Sequence, residues 1–275
     1  MPQSEPLDAK TFDAFRRLIY QHSGICLSDA KVTLVRARIG KRMRALGLSD
    51  HRAYLRHVEE DESGMEVVSL LDAISTNVTS FFREAQHFDI LANHLNERQA
   101  AGQTRLRIWS AACSTGEEPH SIALSACESL PLERCDLRIL ASDINTQVLA
   151  ACAAGRFGEE SLKPVPKNLR LKYFTRTGEL GPKGPVWQAT QALRRLIVPK
   201  RLNLSRPPFP LQGPLDAVFC RNVMIYFDND VRRALLHEIT RLLPRGGLLF
   251  VGHAESLTGM HCGLRCLRPS VYVKD

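Results

Sequence analysis

The chain lacks what a membrane-spanning or secreted protein needs. No apolar run approaches the roughly 18 residues of a bilayer span, and the polar start MPQSEPLDAK has no apolar signal-peptide core. Eight cysteines are present without a single C-x-x-C pair. Several sit in apolar runs, as Cys220 does in AVFC, where cysteine serves as a small buried hydrophobe. A reducing, cytoplasmic location is expected, with no membrane insertion. The nearest thing to a metal cluster is HAESLTGMHCGLRC, with His253, His261, Cys262 and Cys266. Its spacing fits no zinc pattern, so no metal is expected. Internal repeats and low-complexity tracts are missing as well. Two glycine signatures are also absent: the G-x-G-x-x-G turn of NAD-dependent dehydrogenases, and the G-x-x-x-x-G-K-[ST] phosphate loop.

What is present is an ordinary globular composition, 44% apolar and 24% charged over 275 residues. Lys and Arg outnumber Asp and Glu by 37 to 29, a formal charge of +8, which favours an acidic partner. Residues 8 to 75 read as helices only. Phe12, Phe15, Leu18 and Ile19 share one face of a first helix, with Asp8 as N-cap and Gly24 as its stop. Val32, Val35, Ile39, Met43 and Leu46 share a face of a second. Further helices are expected over about 49–60 and 65–75, making a small bundle (1–75) followed by a linker and connecting helix (76–103).

From about residue 104 strands and helices alternate. RLRIWSAA, CDLRILASD, PLDAVFC and GGLLFVG are β-rich apolar runs separated by helical stretches. That spacing predicts an α/β domain over 104–275, a parallel sheet with helices on its faces. Between about 156 and 202 the alternation lapses around a Gly/Pro turn, which suggests an inserted small β-subdomain.

Ligands of such sheets sit beyond the carboxyl ends of the strands. Here those ends carry Cys113, Ser114, Thr115, Gly116 and Glu117 after the first strand, Asp143 after the second, and Arg221 with Asn222 after a later one. An acid such as Asp143 suits the two hydroxyls of an adenosine ribose. Glu117 disfavours phosphate and favours an amine or a sulfonium. S-adenosylmethionine fits both: an adenosine without phosphate and with a positive methionyl part. Plainer readings stay open. Glu117 and Glu118 suit a helix dipole as first-turn acids, Asp143 can be an N-cap, and STNVTSFFREAQHF can be a capping segment with core aromatics. Cys113 with His120 as base lacks an orienting third group.

The stretches TNVTSFFREAQHF, IWSAACSTGEEPHSIA, ILASDINTQVLAAC, FCRNVMIYFD, GGLLFVGHAESL and SVYVK, in this order, resemble the CheR family of chemotaxis receptor protein-glutamate O-methyltransferases. The resemblance spans about 76–274, and the helical start is similar to that family's N-terminal domain. It implies a Rossmann-like S-adenosylmethionine-dependent methyltransferase domain with an inserted β-subdomain, plus a helical N-terminal domain. By motif position, Asn77, Thr79 and Arg83 help bind the cofactor, Arg83 through the cofactor's carboxylate. Glu117 lies near the methionyl part, Asp143 at the ribose, Asn203 and Leu204 beside the adenine, and Arg221 and Asn222 complete the pocket. Arg83 and Tyr226 are candidate catalytic positioners of the incoming carboxylate.

The implied substrate is a glutamate on the cytoplasmic helices of a chemoreceptor. Its pKa of about 4.3 makes it a carboxylate at neutral pH, so no strong base is needed. S-adenosylhomocysteine is the product. Arg36, Arg38, Lys41, Arg42 and Arg44 form a candidate docking face, against the plainer reading of a solvated helix, and the β-subdomain is a candidate site for a receptor's C-terminal tail. Competing functions are a nucleic-acid methyltransferase and a non-catalytic module that senses the cofactor and binds receptors. No nucleic-acid partner is expected, because residues 25 to 48 hold no Phe, Tyr or Trp to interleave with the basic helix.

Overall fold

The computed structural model describes residues 7–182, 184–260 and 262–275. The chain begins with a helical bundle: α1 (Ala9–Ser23), α2 (Val32–Ala45), α3 (His51–Glu59) and α4 (Met65–Ile74). Asp8 caps α1 by accepting from the Thr11 amide, and Asp50 caps α3 by accepting from Arg52 and Ala53. α1 stops at Gly24, whose left-handed backbone suits glycine. A Cβ there would stand 2.4 Å from Ser205 Cβ, so the missing side chain also lets the bundle approach the rest of the protein. Val35, Ile39 and Met43 of α2 are buried in one cluster with Phe12, Phe15 and Ile19 of α1 and Leu70, Leu71 and Ile74 of α4.

The second part runs α5 (Gln86–Ala100), β1 (Arg105–Ala111), α6 (Glu117–Ser129), β2 (Asp136–Asp143), α7 (Thr146–Ala154), β3 (Arg156–Gly158), α8 (Lys167–Tyr173), β4 (Phe174–Gly181), β5 (Gly184–Ala189), α9 (Gln191–Arg194), β6 (Ile197–Arg201), β7 (Ala217–Cys220), α10 (Asn229–Leu242), β8 (Leu248–Val251), β9 (Leu264–Arg268) and β10 (Val271–Lys274). A seven-stranded sheet has the order β6-β2-β1-β7-β8-β10-β9. Its strands are parallel from β6 to β8, and β10 and β9 close it antiparallel. The strands are apolar on both faces because each face is covered. Leu106, Ile108, Ala217, Phe219, Leu248 and Phe250 enter one core. Their alternates Trp109, Ala111, Val218, Cys220, Leu249 and Val251 enter the other.

α5 is the helix within the expected connecting stretch 76–103, and its Phe88, Leu91 and Leu95 recur at helical spacing and pack into the first sheet core. The inserted sheet, β3-β5-β4, ends at Ala189 rather than near 202. The following β6 belongs to the main sheet, with Ile197 opposite Ile139 of β2. Pro199 disguises this strand in sequence, yet proline is tolerated on an edge, and β6 is an edge. Among the described residues no helix is long and apolar enough to cross a membrane.

Bundle and sheet are joined by specific bonds. Asn145 caps α7 and donates to the Asp72 carbonyl (3.0 Å) and Ser75 Oγ (2.6 Å). The Thr146 amide donates to Asp72 Oδ1 at 2.8 Å, the Asn203 amide to the His22 carbonyl at 2.8 Å, and the Cys26 amide to the Tyr226 carbonyl at 2.8 Å.

Candidate active site

A cavity of about 730 Å³ lies beyond the carboxyl ends of β1, β2 and β7, within the size range of small-molecule sites. Ala112 and Ser114, Asp143 and Ile144, and Arg221 and Asn222 line it from these three strand ends. Segment 74–79 with Arg83 lines another side, and Leu34, Val35 and Arg38 of α2 face it from the bundle. Leu202 and Leu204 give it an apolar surface. The turn after β1 carries positive φ at Ala112, Ser114 and Gly116. A Cβ on Gly116 would meet Cys152 Cα at 2.9 Å, so this glycine allows α6 and α7 to pack closely, and no anion cradle is needed to explain it.

Asp143 is buried; its Oδ2 accepts from the Ser114 amide and Oδ1 from the Asn145 amide, each at 2.9 Å. Burial raises its pKa despite these bonds. Glu118 Oε1 accepts from Ser110 Oγ at 2.7 Å, and its Oε2 pairs with Arg221 Nη1 at 3.0 Å. Burial outweighs the Arg221 charge and raises this carboxyl too. Arg221 is a buried strut: it also lies 3.1 Å from Glu84 Oε2 and donates to the Arg83 carbonyl. Arg83 itself has only the Val78 carbonyl, 3.2 Å from Nη1, and no carboxylate among the described residues. The cavity thus presents a guanidinium without a carboxylate partner, two buried acids whose pKa burial raises, and apolar walls. A ligand with a carboxylate, hydroxyls and a cationic centre suits these groups.

Matches to known families agree with this chemistry. Residues 77–273 match the SAM binding domain of CheR methyltransferases, and residues 10–75 match that family's all-alpha domain. The chain belongs to the CheR methyltransferase family. Its fold is that of S-adenosylmethionine-dependent methyltransferases, and S-adenosylmethionine is its methyl donor. Relatives include the chemotaxis protein methyltransferase of Salmonella typhimurium, 38% identical over 94% of this chain and 88% of the relative. That of Escherichia coli is 39% identical over 90% and 84%. Chemotaxis protein methyltransferase 2 of Pseudomonas aeruginosa is 38% identical over 95% and 91%.

The structure brings Asn77, Thr79, Arg83, Asp143, Asn203, Leu204, Arg221, Asn222 and Tyr226 to this one CheR-family cavity. The first-turn acid needs correction. Glu117, expected at the methionyl part, does not line the cavity; its Oε2 accepts from Thr115 Oγ1 at 2.6 Å. The lining acid is Glu118, one residue further round the helix. Asn203 is partly committed, donating to His22 and accepting from the Ser205 amide and hydroxyl. Asn222 holds a left-handed φ of 58°, its amide donating to Glu255 Oε2 at 2.7 Å. Tyr226 has no hydroxyl partner among the described residues. His120 is spent on the Gly116 carbonyl, 2.7 Å from Nδ1, and the hydrogen bond with Cys152, then burial, pushes the Cys113 thiol up, so the pair is no nucleophile and base.

The basic helix divides. Arg36, Lys41 and Arg44 are exposed. Arg42 is not free for docking: its Nε and Nη2 clamp Glu66 at 2.8 and 2.5 Å, with the Tyr54 hydroxyl 2.9 Å from Oε1. Arg38 is likewise built in, bonding the Ile74 and Ser75 carbonyls and lining the cavity. Long-range partners such as Glu66 are invisible to a helical-wheel reading. Of the expected non-site at His253, His261, Cys262 and Cys266, His261 lies outside the described residues.

Proposed function

We propose that this chain transfers the methyl group of S-adenosylmethionine to glutamate side chains on the cytoplasmic helices of chemoreceptors, forming methyl esters. The observation that carries this is the cavity itself: Arg83 without a carboxylate partner among the described residues, Asp143 at the end of β2 and Glu118 in the first turn of α6 after β1, in a CheR-family chain whose relatives include chemotaxis protein methyltransferases. Asp143 takes the ribose hydroxyls, Arg83 the methionyl carboxylate, and Glu118 faces the cationic centre. Asn77, Thr79 and Asn222 supply polar contacts, and Asn203 and Leu204 flank the adenine.

When bound, the cofactor supplies an electrophilic methyl group on a positive sulfur. The incoming glutamate is already a carboxylate, so the protein has only to hold it in line and keep water away. Tyr226, with its unengaged hydroxyl on the cavity wall, and Arg83 are the groups placed to orient it. Neutralising a carboxylate against a sulfonium is faster in a dry site, and Leu202, Leu204 and Val35 make this wall apolar. Exposed Val78 and Ile225 stand at the cavity and give a receptor helix an apolar rim to rest on. Arg36, Lys41 and Arg44 extend a positive surface beside it that suits an acidic helix. The β-subdomain offers β3 and β4 as edge strands, which can add a strand of a receptor tail.

The test uses the full chain with methyl-labelled cofactor, receptor-containing membranes and, in parallel, RNA. Alkali-labile label on receptor protein is the expected result. Label on RNA, or binding of the cofactor with no transfer to receptor, would overturn it in favour of a nucleic-acid enzyme or a sensing module.

A further inference from the structure

Behind the cofactor cavity, on the far side of Arg221, three side chains from two distant segments converge. Glu84 precedes α5, His87 lies in its first turn, and His253 follows β8. His87 Nδ1 lies 3.5 Å from Glu84 Oε2, and His253 Nε2 lies 3.9 Å from the same oxygen. The three ligand-type atoms all fall within 4.8 Å of one another.

The hydrogen bonds around this group fix what it can do. Ser270 Oγ donates to the Pro269 carbonyl at 2.6 Å, so it meets His87 Nε2, 2.8 Å away, as an acceptor. With the Ser270 hydroxyl turned to the Pro269 carbonyl, the matching His87 tautomer carries its proton on Nε2. Its Nδ1 is then a bare lone pair, and nothing donates to it although the residue is 2% exposed. That lone pair faces a carboxylate oxygen. Glu84 Oε1 is held by the His253 amide at 3.1 Å, but Oε2 receives no hydrogen bond; the Arg221 guanidinium is near it as a charge while donating to the Arg83 carbonyl. Arg221 offsets the Glu84 charge from one side, but the His87 Nδ1 lone pair still faces Oε2 with no hydrogen between them, a contact that a cation held between the two atoms relieves.

We propose that Glu84 Oε2, His87 Nδ1 and His253 Nε2 bind a divalent transition ion of the zinc class, with water completing the shell. Two imidazoles and one carboxylate are a set that zinc accepts with an open fourth position. Ligand atoms around such an ion stand about 3.3 Å apart at tetrahedral angles, so the buried Glu84–His87 pair needs almost no movement. His253, exposed on its other side, closes the remaining gap by turning its ring. The outer layer is already built: Ser270 sets the tautomer of His87, and the His253 amide orients Glu84.

Cobalt(II) added to the full chain reads the site directly. One equivalent should give visible d–d absorption without the thiolate charge-transfer band that the cysteines would produce, and zinc should displace it. His253→Ala, a change at an exposed residue that spares the core, should weaken cobalt and zinc binding at least tenfold by calorimetry. Long-range proton–nitrogen spectra should show His87 protonated at Nε2 and its Nδ1 resonance shifted by one equivalent of zinc. Equal affinity in the wild type and His253→Ala, a thiolate band, or a His87 proton on Nδ1 would each overturn the proposal.

Discussion

Two arginine–glutamate networks, one in each half of the molecule, use the same residue types to opposite ends. In the bundle, Arg42 grips Glu66 through two nitrogens and Tyr54 adds a third bond. Burial pushes the Glu66 carboxyl up, but these bonds win and leave it below its usual value. In the sheet domain, Arg221 is divided between Glu118 and Glu84, and burial of Glu118 wins instead. There the Arg221 Nε, Glu84 Oε2 and His87 Nδ1 stay unsatisfied. A closed network holds a fold together; one left with spare bonding capacity is available to a ligand.

The contrast can be broken most forcefully at Arg221. Its replacement by Ala strands two buried carboxylates and should cost about 3–5 kcal/mol in urea unfolding, with loss of cofactor binding. A loss below about 1 kcal/mol would show that the strut is dispensable. Next in size, Glu66→Gln should destabilise the protein by about 2 kcal/mol while leaving cofactor affinity alone, because Arg42 and Tyr54 lose a charged acceptor. Glu118→Gln should do the reverse: stability within about 1 kcal/mol of the wild type, and cofactor affinity down roughly tenfold, about 1.4 kcal/mol. If both glutamines behave alike, the two networks are not different in kind.

Acid should separate them further. The lowered pKa of Glu66 stabilises the fold above the unfolded value of about 4.3, and this contribution is lost as pH falls through the folded value beneath it. Asp143 and Glu118 are raised, so their contribution to the empty protein's stability is complete below the unfolded values and is lost as pH rises through the folded ones. A cationic ligand prefers them ionised. Cofactor affinity should therefore weaken on acidification at a pH above the ordinary carboxylate range, before the bundle loosens, and binding there should release protons measurable by calorimetry in two buffers. The smallest effect is at the surface. Reversing Arg36, Lys41 and Arg44 to Glu should slow receptor methylation by about threefold to fivefold at low salt, fading as salt rises, with cofactor affinity unchanged.

Much of this was readable in the chain. Helical spacing located α1 to α4 to within a few residues, because one buried face repeats in each, and the strand runs located the rim that carries Asp143 and Arg221. What escaped was tertiary. Neighbouring acids at 117 and 118 are equivalent in sequence, and only the start of α6 at Gly116 decides which one turns toward the cavity. Arg42 reads as a surface charge until α4 brings Glu66 beneath it. β6 reads as part of the insertion because Pro199 disfavours a strand unless an edge is available. Glu84, His87 and His253 have no common motif, since the sheet alone unites them.

Leu34, Val35 and Arg38 come from the all-helical part yet line the cavity at the strand ends. Any shortened version beginning after residue 75 would retain the full strand order but open the methyl donor's chamber to water on that flank. The minimal working unit is accordingly both halves in contact, and anything that pries them apart acts on the chemistry as well as on receptor capture.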